Sequence, residues 1–265
     1  MESDSAPLSW AWDRRRRRNI FGFNVASDCL GGLALLIGIP VLVAVHLATV
    51  VLTPHSTASQ ECKTLRLKVF VELLLCLSAE VLLFLLLVAD PGFVDAPTDL
   101  SCCCRHCGME VEDFDHHCSA VGACIGKGNM CYFILFLLFA ALLCVLAAVQ
   151  NAVFAYGAVR AYRRDTAPSW TSRAALIDAG FTALRSPRTL CFLVLSVVAV
   201  DGGVVCTFLC LRYTYLAYWG LSSVRRRGLV GIPGSLSEVF AHTLRPAFSH
   251  NFTFPRDYAL ADLSE

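Results

Sequence analysis

Apolar residues in this chain gather into four long blocks, Cys29–Leu52, Val69–Ala89, Tyr132–Tyr156 and Cys191–Trp219, separated by polar stretches. Each block supplies the roughly 20 residues that a helix rising about 1.5 Å per residue needs to cross about 30 Å of hydrocarbon. A buried helix of a soluble protein imitates one such block, but four of them predict an all-α polytopic membrane protein with four transmembrane helices. The pattern divides the chain into an N-terminal segment (1–28), two spans (29–89), a polar loop (90–131), two further spans (132–219) and a C-terminal tail (220–265).

Composition supports the pattern. Hydrophobic residues make up 56% of the chain, charged residues 16%, and the mean hydropathy is +0.60; soluble domains carry about 25% charged residues. The first apolar block lies behind Arg14–Arg18, too far in and too long for a cleaved signal peptide, so it reads as a signal-anchor. Four spans leave both termini and the 90–131 loop on one side of the membrane. Arg14–Arg18 and Arg225–Arg227 argue that this side is cytosolic, although Arg160, Arg163, Arg164, Arg173, Arg185 and Arg188 crowd the opposite loop. Cysteine decides between them: six Cys fall within residues 102–124, and thiols stay reduced and available in the cytosol. A net charge of +1 points to no nucleic-acid partner, and the arginine runs read as membrane-surface and topology signals.

The polar loop carries the chemistry. Cys104-x-x-Cys107 is half of a zinc knuckle, since two thiolates so spaced in a tight turn can reach one ion at about 2.3 Å. His117 and Cys124 are the best-placed residues to complete a Cys3His tetrahedron, which would fold a loop that has little core of its own. Residues 115–118 read Asp-His-His-Cys. If that segment is extended, His116 and Cys118 project to one face and Asp115 and His117 to the other. His116 is then the base that draws the proton from Cys118 to give a thiolate able to attack a thioester carbonyl. A turn must bring Asp115 round to fix the His116 tautomer. The bland alternative is that every Cys and His here is a metal ligand and nothing reacts.

Asp115–Cys118, the preceding Asp90-Pro91-Gly92, and Cys124, Gly126, Asn129 and Phe133 leading into the third block together resemble the DHHC protein S-acyltransferase (palmitoyltransferase) family. The resemblance implies a four-span enzyme whose Cys118 takes a fatty acyl group from palmitoyl-CoA or a similar acyl-CoA and passes it to an accessible cysteine of a cytosolic or membrane protein. It makes Cys118 the nucleophile and His116 and Asp115 its activating partners, in an endomembrane such as Golgi or ER, with the acyl chain among the helices. The family's loop holds two zinc ions. One site maps onto Cys104, Cys107, His117 and Cys124; the other has Glu110 and Cys103 where a cysteine and a histidine are usual, so one ion is expected.

Other positions depart from the family pattern. Ser119-Ala120 replaces Pro-Trp, Ala123 replaces Asn, Ser222-Ser223-Val224-Arg225 replaces Thr-Thr-x-Glu, and Ser235 replaces the Asn of the segment at 231–240. They keep a second reading in play, a catalytically silent relative acting as partner or regulatory subunit, and a third, an unrelated four-span protein with a zinc loop. Within the spans, His46, Glu72, Glu80 and Asp201 are expected to bond between helices or sit near an interface, an ion path being the sharper alternative. Gly31-Gly32 and Gly202-Gly203 suit close helix packing. Cys29, Cys76, Cys144, Cys191, Cys206 and Cys210 read as apolar fillers, whereas Cys102 and Cys131 lie where they could accept acyl groups. Lys127 and Arg225–Arg227 are the cations nearest in sequence for the CoA phosphates.

Overall fold

The computed structural model describes residues 18–20, 23–25, 30–51, 59–94, 101–107, 109–166 and 187–218. Arg14–Arg17, the motif positions 222–225 and 231–240, and Arg225–Arg227 lie outside the described residues.

Inside hydrocarbon every backbone N–H and C=O must be satisfied within the protein, which leaves helices as the solution for isolated apolar blocks. Four are described: α1 (Leu30–Val51), α2 (Ser59–Val88), α3 (Met130–Thr166) and α4 (Pro187–Tyr218). Their membrane-crossing stretches are Leu30–Val51, Thr64–Val88, Met130–Tyr156 and Leu190–Tyr218, with mean hydropathies between 2.3 and 2.9. α2 starts well before the apolar block at Val69, passing through Arg66 and Lys68. Long basic side chains permit this, because near a span end they reach for the interface.

The 90–131 loop is built from short strands instead. β1 (Arg18–Ile20) and β2 (Phe23–Val25) pair ahead of α1; in the loop, β3 (Phe93–Val94), β4 (Ser101–Cys104) and β5 (Met109–Glu112) form an antiparallel sheet in the order β3-β5-β4. β6 (His116–Cys118) and β7 (Ala123–Ile125) form a hairpin. The loop core is small: Cys104, Val111 and Cys124 are buried, with Phe93, Cys107 and Phe114 packed around them.

The chain separates into two compact units. The first comprises Met1–Ile37, Glu80–Phe136 and Cys210–Glu265. Here α2 ends in a side-chain-capped turn, the Asp90 Oδ1 accepting the N–H groups of Gly92 and Phe93, both at 2.9 Å. Gly92 has φ 104°, where a side chain would be strained. The loop returns to this turn through the Gly128 N–H donating to Pro91 O at 3.1 Å. Gly126 is required there because a Cβ would sit 2.6 Å from Pro91 O. Asn129, 1% exposed, ties the return to α3: its Nδ2 donates to Cys124 O at 2.8 Å and its Oδ1 accepts the Gly126 N–H at 3.0 Å. Gly31 and Gly32 meet the expected helix packing in part. A Cβ at Gly31 would lie 2.6 Å from Ala120 O and one at Gly32 2.5 Å from both Val121 O and a Leu87 methyl of α2, so Gly32 admits a neighbouring helix and both glycines admit the loop backbone beside Cys118.

The second unit comprises Gly38–Ala79 and Leu137–Leu209. Val43, Cys76 and Leu143 pack together there, and Gly202 and Gly203 bring α4 against Cys144 of α3, where a Cβ added at either glycine would lie 3.3 or 3.4 Å from the Cys144 side chain. Beside this apolar packing, His46 Nδ1 meets Glu72 Oε1 at 2.6 Å, His46 Nε2 meets Asn151 Oδ1 at 3.1 Å, and Gln150 Nε2 donates to Glu72 Oε2 at 3.2 Å. All four residues are buried. Both imidazole nitrogens face oxygen, so whichever of them carries hydrogen finds an acceptor in Glu72 or Asn151. Asp201 is exposed, and His46 and Glu72 bond between helices as expected.

Glu72→Leu leaves His46 and Gln150 without their acceptor and is expected to destabilise the helices by about 1–3 kcal/mol. Thermal unfolding in detergent should show that adding His46→Leu costs much less than it does alone. Additive costs would count against the pairing.

Candidate functional site

The hairpin register sorts the Asp-His-His-Cys residues into two sites. His117 of β6 stands opposite Cys124 of β7, while His116 and Cys118 flank it, opposite Ile125 and Ala123. Successive strand residues face opposite ways, so His117 and Cys124 share one side of the hairpin, and His116 and Cys118 the other. A turn at 119–122 closes the hairpin, with the N–H groups of Val121 and Gly122 donating to Cys118 O at 3.2 and 2.6 Å. Gly122 takes φ 74°.

On the first side, Cys104, Cys107, His117 and Cys124 bring one ligand atom each within 4.8 Å of one another. His117 Nδ1 lies 3.8, 3.5 and 3.6 Å from the sulfurs of Cys104, Cys107 and Cys124, and Cys124 Sγ lies 3.3 Å from Cys107 Sγ. Ligands at 2.0–2.3 Å around one tetrahedral ion are separated by roughly 3.5–3.8 Å, so the set fits a zinc-sized ion. The Cys107 N–H donates to Cys104 Sγ at 3.4 Å, as a thiolate in a knuckle requires. Hydrogen bonds from Cys107 and Cys124, and then from His117, hold the Cys104 thiol far below the ordinary thiol range against burial. His106, not singled out from the sequence, stacks on His117 with centroids 4.8 Å apart.

On the second side, His116 Nδ1 donates to Asp115 Oδ2 at 2.7 Å. Asp115 is 3% exposed, and its own N–H donates to Ile125 O at 2.9 Å, which places its carboxylate beside a ring that strand alternation alone would direct elsewhere. With Nδ1 committed to Asp115, Nε2 is the ring nitrogen left to face Cys118, which shares its side of the hairpin. Burial pushes His116 down, but the hydrogen bonds and charges of Asp115 and Cys118 outweigh it and raise it to about 9. Burial likewise pushes the Cys118 thiol up; the bond from His116 and the N–H groups of Val121 and Ala120 overcome that and bring it below the ordinary thiol value. Both directions favour thiolate beside imidazolium over the neutral pair.

The remaining residues singled out from the sequence fall elsewhere. Lys127 is engaged by Glu112 Oε1 at 2.5 Å, so an anionic ligand there has to compete with a carboxylate. Cys131 is 4% exposed, which withdraws it as an acyl acceptor, whereas Cys102 is half-buried. Glu110 accepts the Ser101 hydroxyl at 2.7 Å and stands opposite Cys103 in the β4–β5 register. Sequence reasoning passed over Tyr213 of α4, whose ring stacks on His116 with centroids 5.5 Å and planes 18° apart. Nothing in an aromatic residue inside an apolar block signals such a contact.

A family model described as DHHC palmitoyltransferase matches residues 98–227. Human palmitoyltransferase ZDHHC9 is 47% identical over 51 residues, 19% of this chain and 14% of that protein. Protein S-acyltransferase 8 of Arabidopsis thaliana is 44% identical over 54 residues, 19% of this chain and 13% of that protein. Human palmitoyltransferase ZDHHC8 is 48% identical over 59 residues, 21% of this chain and 7% of that protein. The chain thus matches under one sixth of the length of these curated relatives.

Proposed function

We propose that this chain, whose residues 98–227 match the DHHC palmitoyltransferase family model, is a multi-pass membrane protein S-acyltransferase of that family that carries a long-chain acyl group as a thioester on Cys118. The observation that carries the reading is the bond from His116 Nδ1 to the buried Asp115 carboxylate, with Cys118 on the same side of β6 as His116, which gives a thiol both a base and a carboxylate to orient that base.

In the first step the Cys118 proton passes to His116 Nε2 and the thiolate attacks the carbonyl carbon of an acyl-CoA. The bond from carbonyl to CoA sulfur breaks, and the departing CoA thiolate takes the proton from the imidazolium. In the second step a cysteine of the substrate protein gives its proton to His116 and attacks the Cys118 thioester. Cys118 leaves as thiolate and regains the proton. Asp115 remains ionised throughout, holding Nδ1–H and stabilising the imidazolium. The backbone N–H groups of Ala120 and Val121, at the turn after Cys118, help lower its thiol and favour the same charge whenever Cys118 is free.

Zinc is the ion we assign to Cys104, Cys107, His117 and Cys124, one per chain. Bound there it supplies rigidity to the hairpin that carries His116 and Cys118 and takes no part in acyl transfer. The loop and both termini are assigned to the cytosolic side of an endomembrane such as Golgi or ER, where acyl-CoA and reduced protein cysteines are both available.

Purified protein incubated with labelled palmitoyl-CoA is expected to take up label at Cys118 that neutral hydroxylamine releases, and to lose it to an added thiol peptide. A folded chain that stays unlabelled would sink the enzyme reading and favour a silent partner subunit.

A further inference from the structure

The imidazole of His116 has one fixed point and a free swing. Its Nδ1 bond to Asp115 is short, but terminal rotation of a histidine ring is soft, and one hydrogen bond does not set the plane in which Nε2 points at sulfur. Two aromatic side chains do. Phe133, near the start of α3, meets the ring edgewise at 5.5 Å and 65°. Tyr213, from α4 and 97 residues away in sequence, lies nearly parallel to it. Phe133 and Tyr213 brace each other edgewise at 5.1 Å and 75°, and both are buried. Phe133 stands at a position shared with the family; Tyr213 belongs to none of the motifs quoted above.

Resting on the acyltransferase reading, we propose that Tyr213 is a positioning residue for acyl transfer: its ring, clamped by Phe133, fixes the plane of His116 so that Nε2 stays on the Cys118 thiol. The ring and not the hydroxyl does this. Tyr213 Oη lies 3.4 Å from His116 Nδ1, whereas Asp115 Oδ2 stands at 2.7 Å from the same nitrogen, so the hydrogen belongs to Asp115 and the hydroxyl adds little. The Arg212 guanidinium, 5.7 Å from the Tyr213 ring centroid, gives that ring a further contact.

The test is single-turnover acylation of Cys118 by labelled palmitoyl-CoA, measured against acyl-CoA concentration in the full chain. Tyr213→Phe is expected to stay within about 3-fold of the original limiting rate, since it keeps the ring. Tyr213→Leu is expected to lower that rate about 10- to 100-fold at an unchanged half-saturating concentration, the loss typical of a misaligned reacting group. In a His116→Ala background the same Tyr213→Leu change is expected to cost less than about 2-fold, because the group it positions is gone. A folding defect would lower the rate equally in both backgrounds, and that result overturns the proposal. So does Tyr213→Leu acting at the original rate, or a loss confined to half-saturation. An original chain that takes no label overturns the acyltransferase reading itself, and this inference with it.

Discussion

Cys118→Ser is expected to abolish hydroxylamine-sensitive acylation, by at least about 10³-fold in rate, the scale seen when a nucleophile acting as part of a unit is removed. The hydroxyl is nearly isosteric and leaves the hairpin intact, so the loss isolates chemistry from fold. His116, raised to about 9, is matched to a thiol whose own value is pulled down by that imidazole and by two backbone N–H groups. A serine hydroxyl is a far weaker acid than this thiol and offers no comparable resting anion to attack a thioester. Any ester that did form on serine would resist neutral hydroxylamine, so the label and its lability report on the same atom. His116→Ala should retain more activity than Cys118→Ser, about 10²- to 10⁴-fold below the unaltered protein, because a thiol without its base is still partly ionised at neutral pH. A serine variant that acylates as fast as the original would move the nucleophile elsewhere, with half-buried Cys102 and exposed Cys103 the cysteines to examine.

How much of this was legible in the sequence depends on the range of the interaction concerned. The spans follow from composition over 20-residue windows, and the four described helices cover the four blocks. The grouping of Cys104, Cys107, His117 and Cys124 follows from spacing within 21 residues, because a knuckle and a short hairpin leave those side chains few other places to go. The strand alternation of His116, His117 and Cys118 follows from the backbone period alone, and β6 has it. Besides Tyr213 and His106, three features were not legible. The Asp115 carboxylate reaches His116 from a position outside the strand, through the N–H bond to Ile125 that only the folded hairpin supplies. Gly31 and Gly32 read as a helix-packing pair, yet their absent side chains admit the carbonyls of Ala120 and Val121, a contact made by residues about 90 positions apart. Gln150 and Asn151 passed unnoticed in α3 because neither is charged, although they satisfy Glu72 and His46. Local patterns are written in the sequence as periods and spacings; contacts between remote segments are written only as complementarity, which one sequence does not display.

Stripping the metal is expected to have the second largest effect, and to act through the hairpin instead of through any reacting atom. The preparation should contain about one zinc per chain, and Cys104→Ala or Cys107→Ala should remove it. The loop's buried core amounts to Cys104, Val111 and Cys124 with a few partly buried neighbours, and two of those three buried residues belong to the proposed zinc set. An apolar core of that size does not hold the five strands β3–β7 against the entropy of ordering them, whereas a structural zinc site contributes about 10–16 kcal/mol to folding. His117 is the mechanical link: it is bracketed in sequence by His116 and Cys118 and stands opposite ligand Cys124. Releasing the ion therefore frees the residue on which the register of both reacting side chains depends. Chelated protein should be cleaved by added protease between residues 101 and 129, lose acylation by about 10²-fold or more, and keep its helical circular dichroism, because the spans satisfy their backbone without the loop. Zinc restored before proteolysis should return the activity. Full acylation by metal-free protein with an intact loop would mean that the hairpin stands on Asn129, Gly126 and the Asp90 turn alone, and the four-ligand set would then have no structural part in positioning Cys118.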